Sequence, residues 1–101
     1  MSSYEAFRQF DADNPQVYRR LVELAREAMR SGRQRIGMRL LFERVRWDML
    51  MQTDSTDGFK INNNFAPHYA RAIIARHQEF DGFFMLRACR GEQMELIGRA
   101  A

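Results

Sequence analysis

The residues best suited to chemistry in this sequence lie in one stretch, from Asn62 to Gln78. Asparagine and glutamine can bond two edge atoms of adenine, and arginine can bond guanine or phosphate, so a helix presenting His68, Arg71 and Gln78 would suit nucleic acid. Three successive asparagines, 62–64, stand where that helix would begin, and a helix N-terminus attracts phosphate. The alternative is that the asparagines only turn the chain and cap the helix, with Arg71 solvated.

A second group of candidate residues is basic. Fifteen of the sixteen lysine and arginine side chains are arginine, and nine arginines stand against three acids between Arg19 and Arg46. Guanidinium groups suit phosphate, carboxylate and base edges better than ammonium does, although a GC-rich coding genome would give the same bias. The predicted nucleic-acid contacts from both groups are Arg33, Arg35, Arg39, Asn63, Asn64, His68 and Arg71.

Catalytic and metal sites find little support. His68 and His77 are nine residues apart and on different faces of one predicted helix, so they cannot share a metal as an i, i+4 pair can. Asp54 and Asp57 match no established metal signature, and Cys89, the only cysteine, excludes an internal disulfide and predicts a small buried side chain. With no P-loop, dinucleotide fingerprint or nucleophile motif, we expect no enzyme, cofactor or metal.

Length and composition indicate one ordinary soluble domain. The chain has 101 residues, of which 46% are hydrophobic and 29% charged, enough for a single modest core. No apolar run reaches the roughly 18 residues of a membrane span. The N-terminus lacks the basic and apolar regions of an export signal. We therefore expect a cytoplasmic protein without a membrane partner.

The first element that would position these residues is a helix from Asn14 to about residue 30. Asn14 is a suitable N-cap and Pro15 fits the first helical position, while Gly32 can take the left-handed conformation that ends the helix. Residues 1–13 are predicted as an N-terminal extension with a short helical turn. The domain proper would then be residues 14–97, with a loose tail at 98–101.

The next helix, within residues 35–52, is predicted to lie at the centre of the domain. Its apolar residues fall on two opposite sides, and a helix that is apolar on two sides has to be covered on both. We therefore expect Leu41 and Val45 to be buried on one side, with Leu40 and Trp47 largely buried on the other.

The remaining elements complete an α+β domain. Gly37 implies either a close helix crossing or a helix that begins just after it. Residues 59–61 predict a short strand, and a third helix is predicted from about Phe65 or Pro67 to Glu79. Residues 83–89 and 94–97 predict two strands joined by a turn. The order helix, helix, strand, helix, strand, strand is loosely winged-helix-like, although a winged helix usually has its first strand between helices one and two.

Four segments resemble a group of small bacteriophage and prophage proteins that have no established function. They are ERVRW at 43–47, FKINNN at 59–64, YAR at 69–71 and FDGFF at 80–84. The group carries E-x-I-R-W, then an aromatic residue, lysine, an aliphatic residue and three asparagines, then Y-A-R and an aromatic-rich strand. The resemblance covers about residues 14–88. It implies a phage or prophage origin in a bacterial cytoplasm and brings no catalytic residue.

Three hypotheses follow. The first is a small nucleic-acid-binding module of a regulatory kind. The second is a phage-encoded protein that binds and modulates a host protein without catalysis, with arginines and exposed aromatics as interface anchors. The third, a metal-dependent enzyme, is disfavoured by the residue inventory. A net charge of only +3 is modest for a DNA-binding protein and keeps the second hypothesis close to the first.

Overall fold

The computed structural model of the protein describes residues 2–52, 60–87 and 94–97. Within these ranges the chain forms four helices and three short strands, so the expected α+β class is confirmed. The elements are α1 (Ser3–Asp13), α2 (Pro15–Arg30), β1 (Ile36–Gly37), α3 (Met38–Gln52), α4 (Ala66–Arg76), β2 (Phe84–Arg87) and β3 (Met94–Ile97). Single 3-10 turns at Asn63–Phe65 and Gln78–Phe80 flank α4. No helix in the described ranges is long and apolar enough to cross a bilayer.

The sheet is mixed and small. β2 lies in the centre, with β1 parallel on one side and β3 antiparallel on the other. Ile36 is paired with Phe84, which in turn is paired with Ile97. The β1 strand leads directly into α3, so α3 begins just after Gly37, as one of the two alternatives had it.

The strand predicted at residues 59–61 is wrong in its described part, since Lys60 and Ile61 are outside any strand. The carbonyl of Ile61 accepts a hydrogen bond from the Arg46 guanidinium at 2.6 Å. In a sheet, the N–H of a neighbouring strand would donate to this carbonyl instead. The first strand is β1 instead, two residues that carry no alternating pattern. Phe59 lies outside the described residues. The predictions made for Asp54, Asp57, Cys89, the turn at 90–92 and the tail at 98–101 also concern residues outside them.

The end of α2 follows its sequence signals. Gly32 has a φ of 99°, and its N–H donates to the Met29 carbonyl at 3.1 Å while the N–H of Arg33 donates to the Ala28 carbonyl at 3.2 Å. These two bonds satisfy carbonyls that the last turn leaves free, with the left-handed glycine expected there.

Asn14 occupies the N-cap position of α2 but makes no side-chain capping bond to it. Its Nδ2 donates to the carbonyl of Phe10 at 3.0 Å instead. Because Asn14 is the single residue between α1 and α2, its side chain closes the free carbonyls at the end of the first helix rather than the free N–H groups of the second.

The N-terminal segment belongs to the core. Ser2 caps α1 by accepting from the N–H of Glu5 at 3.1 Å, and the ring of Phe7 packs edge-on against Tyr69 with centroids 4.8 Å apart. Phe7 is only 5% exposed. The boundary predicted between residues 13 and 14 is therefore not a boundary of the hydrophobic core.

The core lies between α2, α3, α4 and β2, with α1 covering one end. Its largest fully buried side chains are Tyr69, Phe42, Phe80, Phe84 and Leu21. Three buried polar atoms have no hydrogen-bond partner among the described residues: Asp11 Oδ1 and the hydroxyls of Tyr18 and Tyr69. Burial raises the pKa of Tyr69, and the nearby Asp11 carboxylate raises it further, so the phenol stays neutral.

Candidate interaction surface

The most distinctive surface of the molecule is one side of α3. Of the five large hydrophobic side chains that are exposed among the described residues, four lie there. They are Leu40, at 63% exposure, Trp47 at 58%, Leu50 at 41% and Met51 at 59%. Because residues 40, 47 and 51 are seven and four positions apart, they form one stripe along the helix. We call these four residues the outer face of α3.

The prediction that Leu40 and Trp47 are largely buried is therefore wrong. The opposite side of α3 is buried as predicted, with Leu41 3% exposed and Val45 fully buried. The elements that contact α3 are α2, α4, β1 and β2, and the side chains that α3 buries against them all belong to this inner side. A chain of this length forms too few layers to cover both sides of the helix.

One flank of the outer face is an ion-pair network centred on Asp48. Arg20 Nε donates to Asp48 Oδ2 at 2.7 Å, and Arg44 Nε donates to Oδ1 at 3.3 Å. Burial alone would raise the pKa of Asp48, but the hydrogen bonds and charges of the two arginines outweigh it and hold the pKa below its ordinary value. This flank ties α3 to α2.

The other flank centres on Arg46. Its guanidinium pairs with Glu43 one turn earlier and donates to the carbonyl of Ile61 and to Asn63 Oδ1, the last at 2.7 Å. It also lies 5.9 Å from the centre of the Phe42 ring. Both flanks thus combine positive and negative charges, and this one ties α3 to the segment that leads into α4.

The predicted basic contacts Arg33, Arg35 and Arg39 are exposed, but two of them share a cleft with carboxylates. Arg33 and Arg35 line a cleft of about 430 Å³ that Glu79 and Asp81 also line. Arg39 is exposed near the start of α3, beside the outer face. The cleft is therefore mixed in charge, and carboxylates in its wall disfavour a phosphate.

The three asparagines lie at the 3-10 turn that precedes α4. Asn62 Oδ1 accepts from the N–H of Asn64 at 2.9 Å, which is a capping bond, and Asn63 accepts from Arg46 as described above. This geometry fits the alternative in which the asparagines turn the chain, but the turn is what Asn62 caps, and α4 itself has no side-chain cap. Asn64 keeps an exposed side chain.

His68 is half-buried beneath α1. Its Nε2 lies 3.1 Å from Ser3 Oγ, and its ring is 5.5 Å from that of Tyr4 and 5.3 Å from that of Phe7. Burial lowers the pKa of His68, and the cation of Arg71 lowers it further. His68 thus positions α1 on α4, while Arg71 remains exposed.

The seven predicted contacts consequently do not form one compact site. The cleft of Arg33 and Arg35 includes Glu79, which follows α4, whereas Asn63 and Asn64 precede it. A helix of eleven residues is about 16 Å long at the usual rise of 1.5 Å per residue. Arg33 and Arg35 therefore lie toward the C-terminal end of α4, and Asn63 and Asn64 lie at its N-terminal end.

The other histidine takes part in packing. Arg26 pairs with Glu79 at 2.8 Å, lies 3.3 Å from His77 Nδ1 and stacks 5.2 Å from the centre of the Phe80 ring. Within the described ranges no three histidine, cysteine or acidic side chains come together as a metal site.

No protein-family model, curated protein or solved structure matches this chain. Sequence reasoning assigned the outer face of α3 to the core, although the signal that finds it, a second apolar stripe on one helix, is plain in the sequence.

Proposed function

We propose that the chain is a non-catalytic protein-interaction domain, of phage or prophage type, that binds and modulates a host protein through the outer face of α3. The observation that carries the proposal is the 58% exposure of Trp47 between two other exposed apolar side chains, Leu40 and Met51. Contiguous apolar patches are uncommon on monomeric soluble proteins unless they bind something. Tryptophan and methionine are enriched at the centres of protein interfaces, and tryptophan often dominates their binding energy.

The charges around this surface favour a protein partner over nucleic acid. Both flanks contain a carboxylate, Asp48 on one and Glu43 on the other, each paired with arginine. Proteins bind the phosphate backbone of nucleic acids through uniformly positive surfaces, and the binding affinity depends on that positive charge. An apolar stripe with mixed charges beside it matches the apolar core and polar rim of a protein interface instead.

The proposal is tested by capture from a bacterial lysate with nuclease present, comparing wild type with Trp47→Ser. Trp47 is the tryptophan of the outer face and is more than half exposed, so its replacement leaves the fold intact. Tyr4→Ser is the matched control, since Tyr4 is another exposed aromatic residue, at 54%, but lies on α1. We expect a host protein that wild type and Tyr4→Ser retain and that Trp47→Ser loses.

The captured protein is then purified and its binding measured directly. A dissociation constant raised about tenfold or more by Trp47→Ser is expected for a central interface residue. If no captured protein distinguishes Trp47→Ser from Tyr4→Ser, the outer face of α3 does not bind a host protein and the proposal fails.

Nucleic-acid binding is the second candidate. It is supported by the exposure of Arg33, Arg35 and Arg39 within seven residues, and by the chain order α2, β1, α3, α4, β2, β3, which follows the winged-helix order with the first strand between two helices. Fluorescence anisotropy with a random duplex at two salt concentrations tests it. Removing Arg35 would make the logarithmic salt dependence shallower by about one unit, and absence of binding at low salt would end this candidate.

A further inference from the structure

We propose that the cleft beside the end of α2 binds a small zwitterion, a molecule of dipeptide size with a carboxylate at one end and an ammonium group at the other. This is the cleft of about 430 Å³ that Arg33, Arg35, Glu79 and Asp81 line. None of the four residues of the outer face of α3 lines it. The inference therefore goes beyond the proposed function and is tested separately from it.

Both walls of the cleft are held in place by backbone hydrogen bonds. One wall is the segment 33–35, which is tied to the other wall by a bond from the Ile36 N–H to the Phe83 carbonyl at 2.9 Å. The other wall is the turn 79–83, in which the N–H of Phe83 donates to the carbonyl of Phe80 at 2.9 Å. The cleft is thus formed before a ligand arrives, as small-molecule sites usually are.

Most charged side chains of the cleft have no partner inside the chain. Among the described residues, Arg33 and Arg35 on one wall and Asp81 on the other make no side-chain hydrogen bond or ion pair. Glu79 differs from them, since Arg26 pairs with it at 2.8 Å. Two guanidinium groups and one carboxylate are therefore available to a ligand.

A ligand that carries both charges matches these groups better than a ligand that carries one. Guanidinium groups bind a carboxylate through paired N–H donors, and the Asp81 carboxylate attracts an ammonium group. An anion without a cationic end would be repelled by Asp81, and a cation without an anionic end would be repelled by both arginines. A zwitterion meets an opposite charge on each wall.

The apolar lining of the cleft and its volume favour a dipeptide. Met29 and Phe83 contribute apolar surface, against which an aliphatic side chain of the ligand can pack. The volume lies in the lower part of the range for ligand sites, roughly 300–1,000 Å³. The two charges of an amino acid are on neighbouring groups, whereas those of a dipeptide are separated by a peptide unit, which suits charges on opposite walls.

NMR titration of the isotopically labelled full chain with the dipeptide Ala-Leu tests the inference. We expect saturable shifts of the backbone amides of Gln34 and Gly82, which line the cleft. The dissociation constant should be of roughly millimolar order, because a ligand with so few atoms gains little binding energy in an open cleft. Absence of saturable shifts at these two amides up to tens of millimolar ligand would overturn the proposal.

Blocked forms of the dipeptide test each charge separately. N-acetyl-Ala-Leu lacks the ammonium group and Ala-Leu amide lacks the carboxylate, while both keep the two side chains. Each should bind about three- to fivefold more weakly than Ala-Leu, which is the effect expected from losing one exposed ion pair. Equal binding of all three would show that the cleft does not recognise the charges, and the proposal would be wrong.

Variants of the protein assign the two charges to the two walls. Asp81→Asn should weaken the binding of Ala-Leu about three- to fivefold but not that of N-acetyl-Ala-Leu, which has no ammonium group. Replacing Arg33 and Arg35 together by glutamine should weaken the binding of Ala-Leu but not that of Ala-Leu amide. An equal loss for all three ligands in either variant would contradict the assignment.

The matched control removes two arginines elsewhere. Arg8 and Arg19 are exposed and do not line the cleft, so replacing both by glutamine should leave the binding of Ala-Leu unchanged. A loss as large as that from the Arg33 and Arg35 replacements would mean that net charge, rather than the cleft, attracts the dipeptide. The NMR spectra of all variants show directly whether each remains folded.

The same titration separates the zwitterion site from nucleic-acid binding. If a short DNA duplex shifts the amides of Gln34 and Gly82 while Ala-Leu does not, the arginines bind phosphate and the zwitterion site is wrong. Trp47→Ser should leave the binding of Ala-Leu unchanged, since Trp47 does not line the cleft. Loss of host-protein capture in that variant with intact dipeptide binding would support both proposals.

Discussion

The two sides of α3 are similar in composition and opposite in environment. The inner side buries Met38, Leu41, Phe42 and Val45 against α2, α4 and β2, while the outer face leaves Leu40, Trp47, Leu50 and Met51 exposed. The periodicity of apolar residues in the sequence is the same for both stripes, so it does not indicate which of them is buried. The difference shows that an apolar stripe on a helix indicates a contact surface. The rest of the fold can cover that surface, or another molecule can.

The boundary between the two sides is held by an ion pair on one flank and by hydrogen bonds on the other. Asp48 joins α3 to Arg20 of α2, and Arg46 joins it to Ile61 and Asn63 before α4. These bonds position the helix so that one stripe faces the core, which leaves the other facing outward. Substitutions on either side and at the boundary therefore separate folding from binding.

The largest expected effect comes from a charge placed on the inner side. Val45→Asp should unfold the domain, since an unpaired charge at a fully buried position costs several kcal/mol. Leu40→Asp makes the same kind of change on the outer face, at 63% exposure, and should alter the free energy of unfolding by less than about 0.5 kcal/mol. Urea unfolding followed by circular dichroism measures both, and equal losses would show that the two sides are not distinct.

A smaller effect is expected from Asp48→Asn at the boundary. It removes the charge from two hydrogen bonds to arginine, which should cost about 1–2 kcal/mol at neutral pH. Because the folded-state pKa of Asp48 lies below its ordinary value of 3.8, its contribution is present above that pH and is lost as the pH falls through the folded pKa. Unfolding measured from pH 6 down to pH 2 should show a steeper acid loss for wild type than for Asp48→Asn, and parallel curves would contradict the assignment.

The link between α3 and α4 gives a prediction that distinguishes two asparagines. Asn62→Ala removes the side-chain cap on the Asn64 N–H and should cost about 1 kcal/mol. Asn64→Ala removes an exposed side chain without a described hydrogen bond and should cost less than half as much. Thermal melts of the two variants compare their losses of stability. A larger loss for Asn64→Ala than for Asn62→Ala would contradict the assignment of the cap to Asn62.

The smallest expected effect concerns the ring that faces the inner side of α3. Tyr69 packs edge-on against Phe42 with centroids 5.9 Å apart, and its buried hydroxyl has no hydrogen-bond partner among the described residues. Tyr69→Phe keeps the ring and removes the hydroxyl that has no partner among the described residues. The free energy of unfolding should therefore change by less than about 0.5 kcal/mol or increase slightly. A loss above about 1.5 kcal/mol in chemical unfolding would mean that the hydroxyl makes a bond that the present structure does not contain.

The sequence alone determined the elements that depend on local signals. Pro15 and Gly32 bound α2 because the first fits a helix start and the second a left-handed helix end. The inner side of α3 follows from its apolar spacing, and the two strands after α4 follow from their apolar runs. The α+β class required no more than these.

Tertiary structure decided everything that depends on which neighbour a residue meets. Two residues at Ile36–Gly37 become a strand only because the backbone of β2 lies beside them. His68 becomes a packing residue only because α1 folds across it, and Asn14 bonds backward because α1 ends next to it. The outer face of α3 is exposed for the same reason. Periodicity shows that two sides of a helix are apolar, but the number of layers that surround the helix decides which of them the fold can cover.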